Sequence, residues 1–290
     1  MANNFKDPPV QTQYWDLVIE PTNKFFHFNL KELAHYKFLM FLFVRRDFVA
    51  QFKQTILGPL WFILQPVMTS GIFTVLFSEI AKIPTDGVPP FLFNLAGVTL
   101  WNYFSSCLTS TSNVLGTNAG LFGKVYFPRL AVPIAVVITR LYTFAIQFAF
   151  FLVVYFVLLA FGAKLQPNLY LLLVPVMIAH SALLGLGIGL WASALTVKYR
   201  DLNQLIGFGV GLAMYVTPIF YPLSVVPKNL HWLVTINPMA PIVEIFRYAF
   251  TGTGSLPVVS YTISLAATLV VVFFGVALFH RAERNAVDVA

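Results

Sequence analysis

From Ile56 onward the chain stays apolar for long enough to cross a lipid bilayer. About 20 helical residues, each rising 1.5 Å, match a hydrocarbon core about 30 Å thick. The stretch from Phe52 to Ile80, FKQTILGPLWFILQPVMTSGIFTVLFSEI, leads from polar or amphipathic sequence into this apolar run. Its Gly58-Pro59 pair permits a sharp change of direction, because Gly relaxes backbone sterics and Pro suits the first turn of a helix. We therefore predict that the chain enters the membrane here.

The composition indicates an all-α polytopic membrane protein. Of the 290 residues, 58% are hydrophobic and only 10% are charged, compared with about 25% charged residues in a typical soluble domain. The apolar runs are continuous, without the alternation of apolar and polar residues that a β-barrel needs. A lipid-exposed backbone must satisfy its own hydrogen bonds, and a helix does so within one segment.

Six spanning helices are predicted, which returns the C-terminus to the starting side. They cover residues of about 57–80, 91–113, 134–162, 169–196, 204–223 and 258–280. The N-terminal region, the loops at 114–133 and 197–203, and the C-terminal tail then share one side and carry most of the Lys and Arg residues. Positively charged loops stay on the cytoplasmic side, so both termini are predicted to be cytoplasmic. The net charge of +7 has the same explanation and requires no nucleic acid.

Two segments before the first span are predicted to lie outside the bilayer core. Residues 1–28 are polar and predict an extended cytoplasmic lead. Residues 29–54 are predicted to form an amphipathic interfacial helix, because their apolar centre at 38–44 is too short to span and their basic residues suit an anionic leaflet. The predicted apolar face comprises Leu33, Met40, Phe41, Val44, Phe48 and Phe52.

Residues 224–257 are predicted to dip into the membrane and return. The apolar pieces at 230–236 and 241–250 are each too short to cross, and prolines interrupt the region. An additional crossing would place Arg281 and Arg284 outside, against the positive-inside rule. The region is therefore expected to form re-entrant helices before the last span.

No enzyme site is recognisable, so the chain is expected to be a transport subunit without a cofactor of its own. The sequence GLFGKV at 120–125 lacks the glycine spacing and the Ser or Thr of a phosphate-binding loop. The histidines show no metal-ligand spacing. Ionisable residues within spans are few, which disfavours an ion-driven pump. Arg140 is predicted to lie at the cytoplasmic interface, and His180 to make a polar contact between helices.

Aromatic and polar residues share one face on two predicted spans. The first span carries Phe62, Gln65, Thr69, Phe73 and Phe77 at helical spacing, and the fifth carries Gln204, Phe208, Gly211, Tyr215 and Pro218. Rings can stack on the C–H faces of sugars while amides and hydroxyls bond sugar hydroxyls, so these faces suit a passage for carbohydrate. Lipid contact and interfacial anchoring remain the alternative explanation.

Two predicted cytoplasmic loops combine basic and aromatic residues. They read GLFGKVYFPRLAVP at 120–133 and VKYRDLNQ at 197–204. Arg and aromatic residues anchor many protein interfaces, and Tyr126, Phe127 and Tyr199 look like exposed members of such a surface. The loops therefore suit docking to a soluble partner, although ordinary positively charged loops remain the alternative.

Four motifs carry a resemblance to a known family. They are FKQTILGPLWFILQP at 52–66, LFGKVYFPRLAVP at 121–133, VKYRDL at 197–202 and INPMAPIVEIFRYA at 236–249. In their order and their places relative to the spans, they resemble the membrane subunits of ABC-2 type exporters, specifically the polysaccharide and O-antigen exporter permeases. The resemblance extends from about residue 30 to residue 280.

The resemblance implies an ATP-driven exporter of lipid-linked polysaccharide, with O antigen as the expected polymer. It implies a homodimer in the bacterial inner membrane, surrounded by membrane lipids, with two copies of a separate cytoplasmic ABC ATPase that holds ATP and Mg²⁺. A permease for teichoic acid or capsular polysaccharide fits the same motifs. An ion-coupled flippase for lipid-linked sugars or a passive channel is a different class, as is a membrane scaffold.

The resemblance also assigns roles to particular residues. The expected channel-lining residues are Phe62, Gln65, Thr69, Phe73, Phe77, Phe208 and Tyr215. The expected ATPase-coupling residues are Lys124, Tyr126, Arg129, Tyr199, Arg200 and Asp201. Lys124, Arg129 and Arg140 are the expected cations at the entrance for the lipid-linked substrate. Glu244 and Arg247, three residues apart, are expected to pair in the periplasmic re-entrant region.

Overall fold

The computed structural model describes residues 30–53, 58–122, 127–199, 201–254 and 256–286, and within them every regular element is helical. The α-helices are α1 (Leu30–His35), α2 (Lys37–Phe52), α3 (Leu60–Phe73), α4 (Pro90–Ser112), α5 (Val114–Thr117), α6 (Ala119–Phe122), α7 (Ala131–Ala160), α8 (Val174–Thr196), α9 (Leu202–Val216), α10 (His231–Ile236), α11 (Met239–Thr251) and α12 (Val258–Ala286). The predicted all-α class is confirmed. The predicted lead at 1–28, Lys124, Tyr126 and Arg200 lie outside the described residues.

The prediction of six spans is not confirmed. Among the described residues, four helical segments are long and apolar enough to cross a membrane: Leu60–Ile80, Ala131–Ala160, Leu169–Thr196 and Val258–Glu283. The chain is therefore a multi-pass membrane protein. The other two predicted spans correspond to α4 and α9, which differ from ordinary spans for separate reasons.

Helix α4 is long enough but less apolar than the four spanning segments, and it lies in the centre of the protein, where its polar groups are enclosed. It has 23 residues, and most of them are buried. Asn94, Thr99 and Ser112 are enclosed by neighbouring helices, so their polar groups never face hydrocarbon. Helices α3, α7, α8 and α11 all pack against α4, and its large side chains form the middle of the main core.

Helix α9 is shorter than predicted. Its 15 residues rise about 22 Å, less than the hydrocarbon thickness of about 30 Å. The helix ends at Val216 because the residue before a proline disfavours helical backbone, and Thr217, which precedes Pro218, is extended with ψ of 137°. The predicted span to residue 223 was therefore too long at its C-terminal end.

The first spanning segment changes from α-helix to π-helix at Thr74 and ends at Ile80. The Thr74 hydroxyl donates to the Ser70 carbonyl at 2.7 Å, and the Asn94 amide of α4 donates to the same hydroxyl at 2.9 Å. This polar link lies at the residue where the helix changes to the wider π form. Short π-helical segments often accompany functional sites.

Helix α12 packs against α8 at very close range. A Cβ atom added to Gly275 would lie 2.5 Å from the carbonyl oxygen of Gly187, so the two backbones touch only because both residues lack side chains. Small residues permit such approaches between membrane helices. Nearby, His180 of α8 contacts the Thr268 hydroxyl of α12 at 2.9 Å, which is the interhelical polar contact predicted for it.

The N-terminal helical region is broken into two helices at Tyr36, and its second part, α2, packs along α7. The residues of the predicted apolar face are divided between two sides of the helix. Phe43 and Val44 are the buried residues, whereas Phe41 is 56% exposed. Helix α2 is apolar around much of its circumference, so one side packs on protein while Phe41 and Phe38 point away from it. The outward side suits contact with lipid.

Helices α10 and α11 occupy the region predicted to be re-entrant. Helix α11 is 13 residues long and almost entirely buried. Its last carbonyls accept hydrogen bonds from a neighbouring loop: the Asn168 side chain donates to Tyr248, the Asn168 backbone to Ala249, and the Gln166 backbone to Thr251. The Tyr155 hydroxyl donates to Phe250 at 3.0 Å. A short buried helix is thus stabilised at its C-terminus, where orphan carbonyls need partners.

These contacts define two opposite ends of the molecule. The α2 end contains α2, α5, α6 and the ends of α8 and α12, which share a second apolar core cluster. The α11 end contains α10, α11 and the segment that joins α3 to α4. Helices α3 and α9 run from the first end to the second.

Candidate functional site

Helices α3 and α9 carry the predicted channel-lining faces and are the least buried of the long helices. No residue of α9 is buried, and in α3 only Pro66 and Ser70 are. Gln65, Phe208 and Tyr215 are exposed, and Phe62, Thr69, Phe73 and Phe77 are half-buried. The predicted faces are therefore accessible in a single copy of the chain.

The structure brings three of the predicted lining residues together around a fourth ring. Phe220 stacks on Phe73 with ring centroids 3.8 Å apart and lies parallel to Phe77 at 5.7 Å. The Tyr215 ring lies 6.0 Å from Phe73 and 6.3 Å from Phe220. We call Phe73, Phe77, Tyr215 and Phe220 the ring cluster. It connects α3 to the end of α9.

Sequence reasoning missed Phe220. The residue follows the end of α9 and belongs to no helical face, so spacing along a helix could not find it. The signal was the Thr217-Pro218 pair, which ends the helix and starts an extended segment. Phe220 is only 2% exposed, because the segment folds inward against α3 and α4.

The break after α9 has its backbone carbonyls satisfied by side chains. The Tyr221 hydroxyl folds back and donates to the carbonyls of Tyr215 and Val216 at 3.2 and 3.0 Å. The Thr217 hydroxyl donates to the Ala213 carbonyl at 2.7 Å and accepts from the Asn237 amide at 2.7 Å. Non-helical backbone at membrane depth requires such partners, since hydrocarbon offers none.

Glu244 and Arg247 of α11 are brought together as their spacing suggested. Arg247 Nη1 lies 3.3 Å from Glu244 Oε1, and both side chains are buried. The guanidinium carbon lies 3.6 Å from the centroid of the Phe93 ring, which is a close cation–π geometry. Burial raises the pKa of the Glu244 carboxyl, and the charge of Arg247 acts in the opposite direction.

A pocket of about 570 Å³ lies at the α11 end. Its lining includes the side chains of Asp86, Ser224, His231, Thr235 and Glu244. The Ser224 hydroxyl donates to Asp86 Oδ1 at 3.0 Å, which ties the α3–α4 connection to the segment before α10. Among the described residues, no group of three His, Cys, Asp or Glu side chains could hold a metal ion.

At the α2 end, Arg129 ties the start of α7 to the end of α12. Its Nη1 donates to the Glu283 carbonyl, and its guanidinium lies 5.6 Å from the Phe122 ring centroid. The prediction that Phe127 is exposed was wrong, because its ring packs 5.6 Å from Phe43 and 5.9 Å from Phe122. Helix α2 covers this aromatic residue, which loop composition alone does not reveal.

The other described coupling and entrance residues are not gathered into one site. Tyr199 is 51% exposed, with Lys198 Nζ 5.2 Å from its ring centroid, and Asp201 is exposed beside it. Arg140 is half-buried in α7, with Asp47 of α2 among its electrostatic neighbours. Its position between α7 and α2 therefore differs from the exposed position of Tyr199.

A sequence model described as ABC-2 type transporter matches residues 39–251, which is most of the chain. The chain belongs to this family. The part matched to the ABC-2 type transporter family begins within α2 and ends at the last residue of α11. It therefore includes the ring cluster, the Glu244–Arg247 pair and both loops at the α2 end.

Individual proteins that are similar to this chain include export permeases and a transport protein. The chain is 25% identical over 248 residues to the O-antigen export system permease protein RfbA of Klebsiella pneumoniae, covering 84% of this chain and 91% of the relative. It is 26% identical over 258 residues to RfbA of Myxococcus xanthus, covering 88% and 96%. It is also 26% identical over 245 residues to the polysialic acid transport protein KpsM of Escherichia coli, covering 82% and 91%.

Proposed function

We propose that this chain is the membrane permease subunit of an ATP-driven exporter that moves lipid-linked polysaccharide across the bacterial inner membrane. O antigen is the proposed polymer. The observation that carries the proposal is the similarity to two O-antigen export permeases over more than four fifths of the chain, together with the family match.

The accessible faces of α3 and α9 support a passage for carbohydrate. They present rings alongside amide and hydroxyl groups, with Gln65 and Tyr215 exposed. A ring can stack on a sugar's C–H face while a neighbouring amide bonds its hydroxyls. A long polymer would slide along such a surface, because each individual contact is weak and easily exchanged for the next.

A second copy of the chain would complete this passage. Both helices expose large apolar side chains in one copy, including Trp61 and Met68 on α3 and Leu205 and Leu212 on α9. Contiguous exposed apolar surface of this kind marks interaction sites or lipid contact. The proposed assembly is a homodimer in which α3 and α9 of both protomers face a shared conduit.

The energy would come from a separate ATPase, two copies of which would bind ATP and Mg²⁺. The sequence GLFGKV departs from a phosphate-binding loop, so the proposal places hydrolysis in a partner. Exposed Tyr199 and Asp201 are the proposed contacts with it, along with Arg200, Lys124 and Tyr126. Arg129 would pass the motion on, because it links the start of α7 to α12.

The entrance for the lipid-linked end of the polymer is proposed to lie at the α2 end. A polyprenyl diphosphate is anionic, and Lys124, Arg129 and Arg140 are the proposed cations there. This placement puts α2 on the cytoplasmic leaflet, with both termini inside the cell, and the α11 end towards the periplasm.

A capsular polymer is the second candidate substrate. The similarity to the polysialic acid transport protein KpsM covers 82% of the chain and favours this possibility. Both substrates require the same kind of passage, so the polymer must be identified chemically.

Deletion and complementation in the native cell test the proposed function. Deleting the gene is expected to remove one polysaccharide from the cell surface and to accumulate its lipid-linked form in the inner membrane, with restoration by the wild-type gene. Composition analysis of the accumulated polymer would separate O antigen from capsule. Unchanged surface polysaccharide after deletion would contradict the proposal.

A further inference from the structure

Arg247 makes contacts beyond its ion pair with Glu244. Its Nη2 donates to the carbonyl of Pro218 at 2.7 Å and to the carbonyl of Ile219 at 3.2 Å. Both acceptors belong to the extended segment that follows α9, far from Arg247 along the chain. One guanidinium therefore joins α11 to the broken end of α9.

The segment is also held from its other side by α4. A Cβ atom added to Gly97 would lie 2.9 Å from Ile219 Cγ2 and 3.1 Å from the Ile219 carbonyl oxygen. Ile219 is fully buried between Gly97 and α11. The segment is thus held between α4, which contacts Ile219 closely, and Arg247, which bonds its carbonyls.

The next residue, Phe220, is the centre of the ring cluster. Its ring stacks on Phe73 at 3.8 Å, so the position of the Pro218–Ile219 carbonyls determines how the end of α9 meets α3. An arginine fork suits this task, because its planar, fixed donors can hold two carbonyls and a carboxylate together. A lysine at this position has a single ammonium and a flexible stem.

We propose that Arg247 is a positioning residue for transport, which holds the Pro218–Ile219 backbone so that the ends of α3 and α9 move together with α11 during export. The role in export rests on the proposed function. The structural part, that Arg247 holds the Pro218–Ile219 backbone, does not depend on it. The ion pair with Glu244 helps to hold the guanidinium in place. The role in transport belongs to the hydrogen bonds from Arg247 to the carbonyls of Pro218 and Ile219.

Chemical labelling in membranes tests the structural part. Cys107 is the only cysteine, so a chain with Cys107→Ala and Ile219→Cys carries a single thiol at the clamped segment. Loss of a charge-assisted hydrogen bond is expected to make labelling of this thiol by a membrane-impermeant maleimide about tenfold faster in Arg247→Lys. Lys228→Met, which removes an exposed cation at the same end, is the matched control and is expected to leave the rate unchanged.

A second measurement separates local release from general unfolding. In a chain that keeps Cys107, which is fully buried in the core, Arg247→Lys is expected to leave Cys107 unlabelled. Faster labelling at position 219 with protected Cys107 supports the proposal. Equal labelling at position 219 with and without Arg247→Lys in the Cys107→Ala, Ile219→Cys background overturns it. Labelling of Cys107 in Arg247→Lys as fast as labelling at position 219 also overturns it, because the whole core would then have opened.

Export assays test the transport role with two kinds of variant. Arg247→Lys is expected to lower export, because it loses the two-carbonyl contact. The charge exchange Glu244→Arg with Arg247→Glu restores an ion pair but places a carboxylate against the two carbonyls, so export is expected to be as low as in Arg247→Lys. Restored export would show that the ion pair alone matters and would overturn the proposal.

Gly97→Ala moves the same segment without touching either charge, and it is expected to lower export about tenfold if one charge-assisted contact is lost. Gly116→Ala, in α5 and with no atom within 4 Å of the added Cβ, is expected to export normally. Normal export by Gly97→Ala would overturn the proposal. If the wild-type chain exports no polysaccharide at all, the proposed function fails, while the labelling result still decides the structural part.

Discussion

The rings of Phe73 and Phe220 stack with their centroids 3.8 Å apart, which joins the first spanning helix to the segment that ends α9. Phe220→Ala would leave a cavity where a buried ring stood and is expected to cost about 3–5 kcal/mol. The measurement is the thermal unfolding midpoint in detergent, followed by fluorescence. Phe161→Ala is the control, because Phe161 is 86% exposed. Equal shifts in the two variants would contradict the packing described for Phe220.

Asn168 stabilises the C-terminus of α11 from outside the helix. Asn168→Ala would remove the side-chain donor to the Tyr248 carbonyl and the acceptor for the Tyr170 backbone, with an expected cost of about 1–3 kcal/mol. The fraction of monodisperse protein left after heating reports this loss. Asn229→Ala changes an exposed asparagine and should leave that fraction unaltered. A heat-resistant Asn168→Ala protein would argue against this capping role.

The contact between α8 and α12 depends on two glycines. Gly275→Ala forces a methyl group against the Gly187 carbonyl and is expected to destabilise the protein by about 1–3 kcal/mol through overpacking. Gly71→Ala adds the same methyl group in open space and gains helix propensity instead. Comparing the thermal midpoints of the two variants checks the prediction, and an unchanged midpoint for Gly275→Ala would rule out the close approach.

Arg129 is expected to hold the last turns of α12 in place. Arg129→Met removes a charge-assisted hydrogen bond to the Glu283 carbonyl, so hydrogen exchange of the amides at 280–286 should become about tenfold faster. Arg281→Met is the matched control, because Arg281 is exposed on the same helix. Exchange that stays slow in Arg129→Met would mean that α12 is held by its apolar contacts alone.

The positions of the long helices were predictable because membrane segments must be long and apolar. The third predicted span, 134–162, corresponds to α7 at Ala131–Ala160, and the last corresponds to most of α12. The length of helix α9 was overestimated because apolar residues continue past its end. The Thr217-Pro218 pair nevertheless stops the helix there. Hydropathy reports the tendency to enter lipid and says little about where a helix ends.

The candidate site was predictable only where contacts are local in sequence. The three-residue spacing of Glu244 and Arg247 predicted their proximity, since residues three apart share a helix face. The carbonyl partners of Arg247 lie 28 and 29 residues away, so no local pattern contained them. Burial of Phe127 depends on how α2 packs over it, which loop composition does not specify. The roles assigned to the lining, coupling and entrance residues stay predictions.

ATP-driven uptake into inverted inner-membrane vesicles tests the central claim most directly. The vesicles would contain this chain with its proposed ATPase, and the measured quantity is lipid-linked polysaccharide protected inside the lumen. We predict uptake that requires ATP hydrolysis and both chains, and that falls when Tyr199 and Asp201 are changed together to alanine. Equal uptake without the ATPase, or uptake driven by an ion gradient in the absence of ATP, would contradict the account.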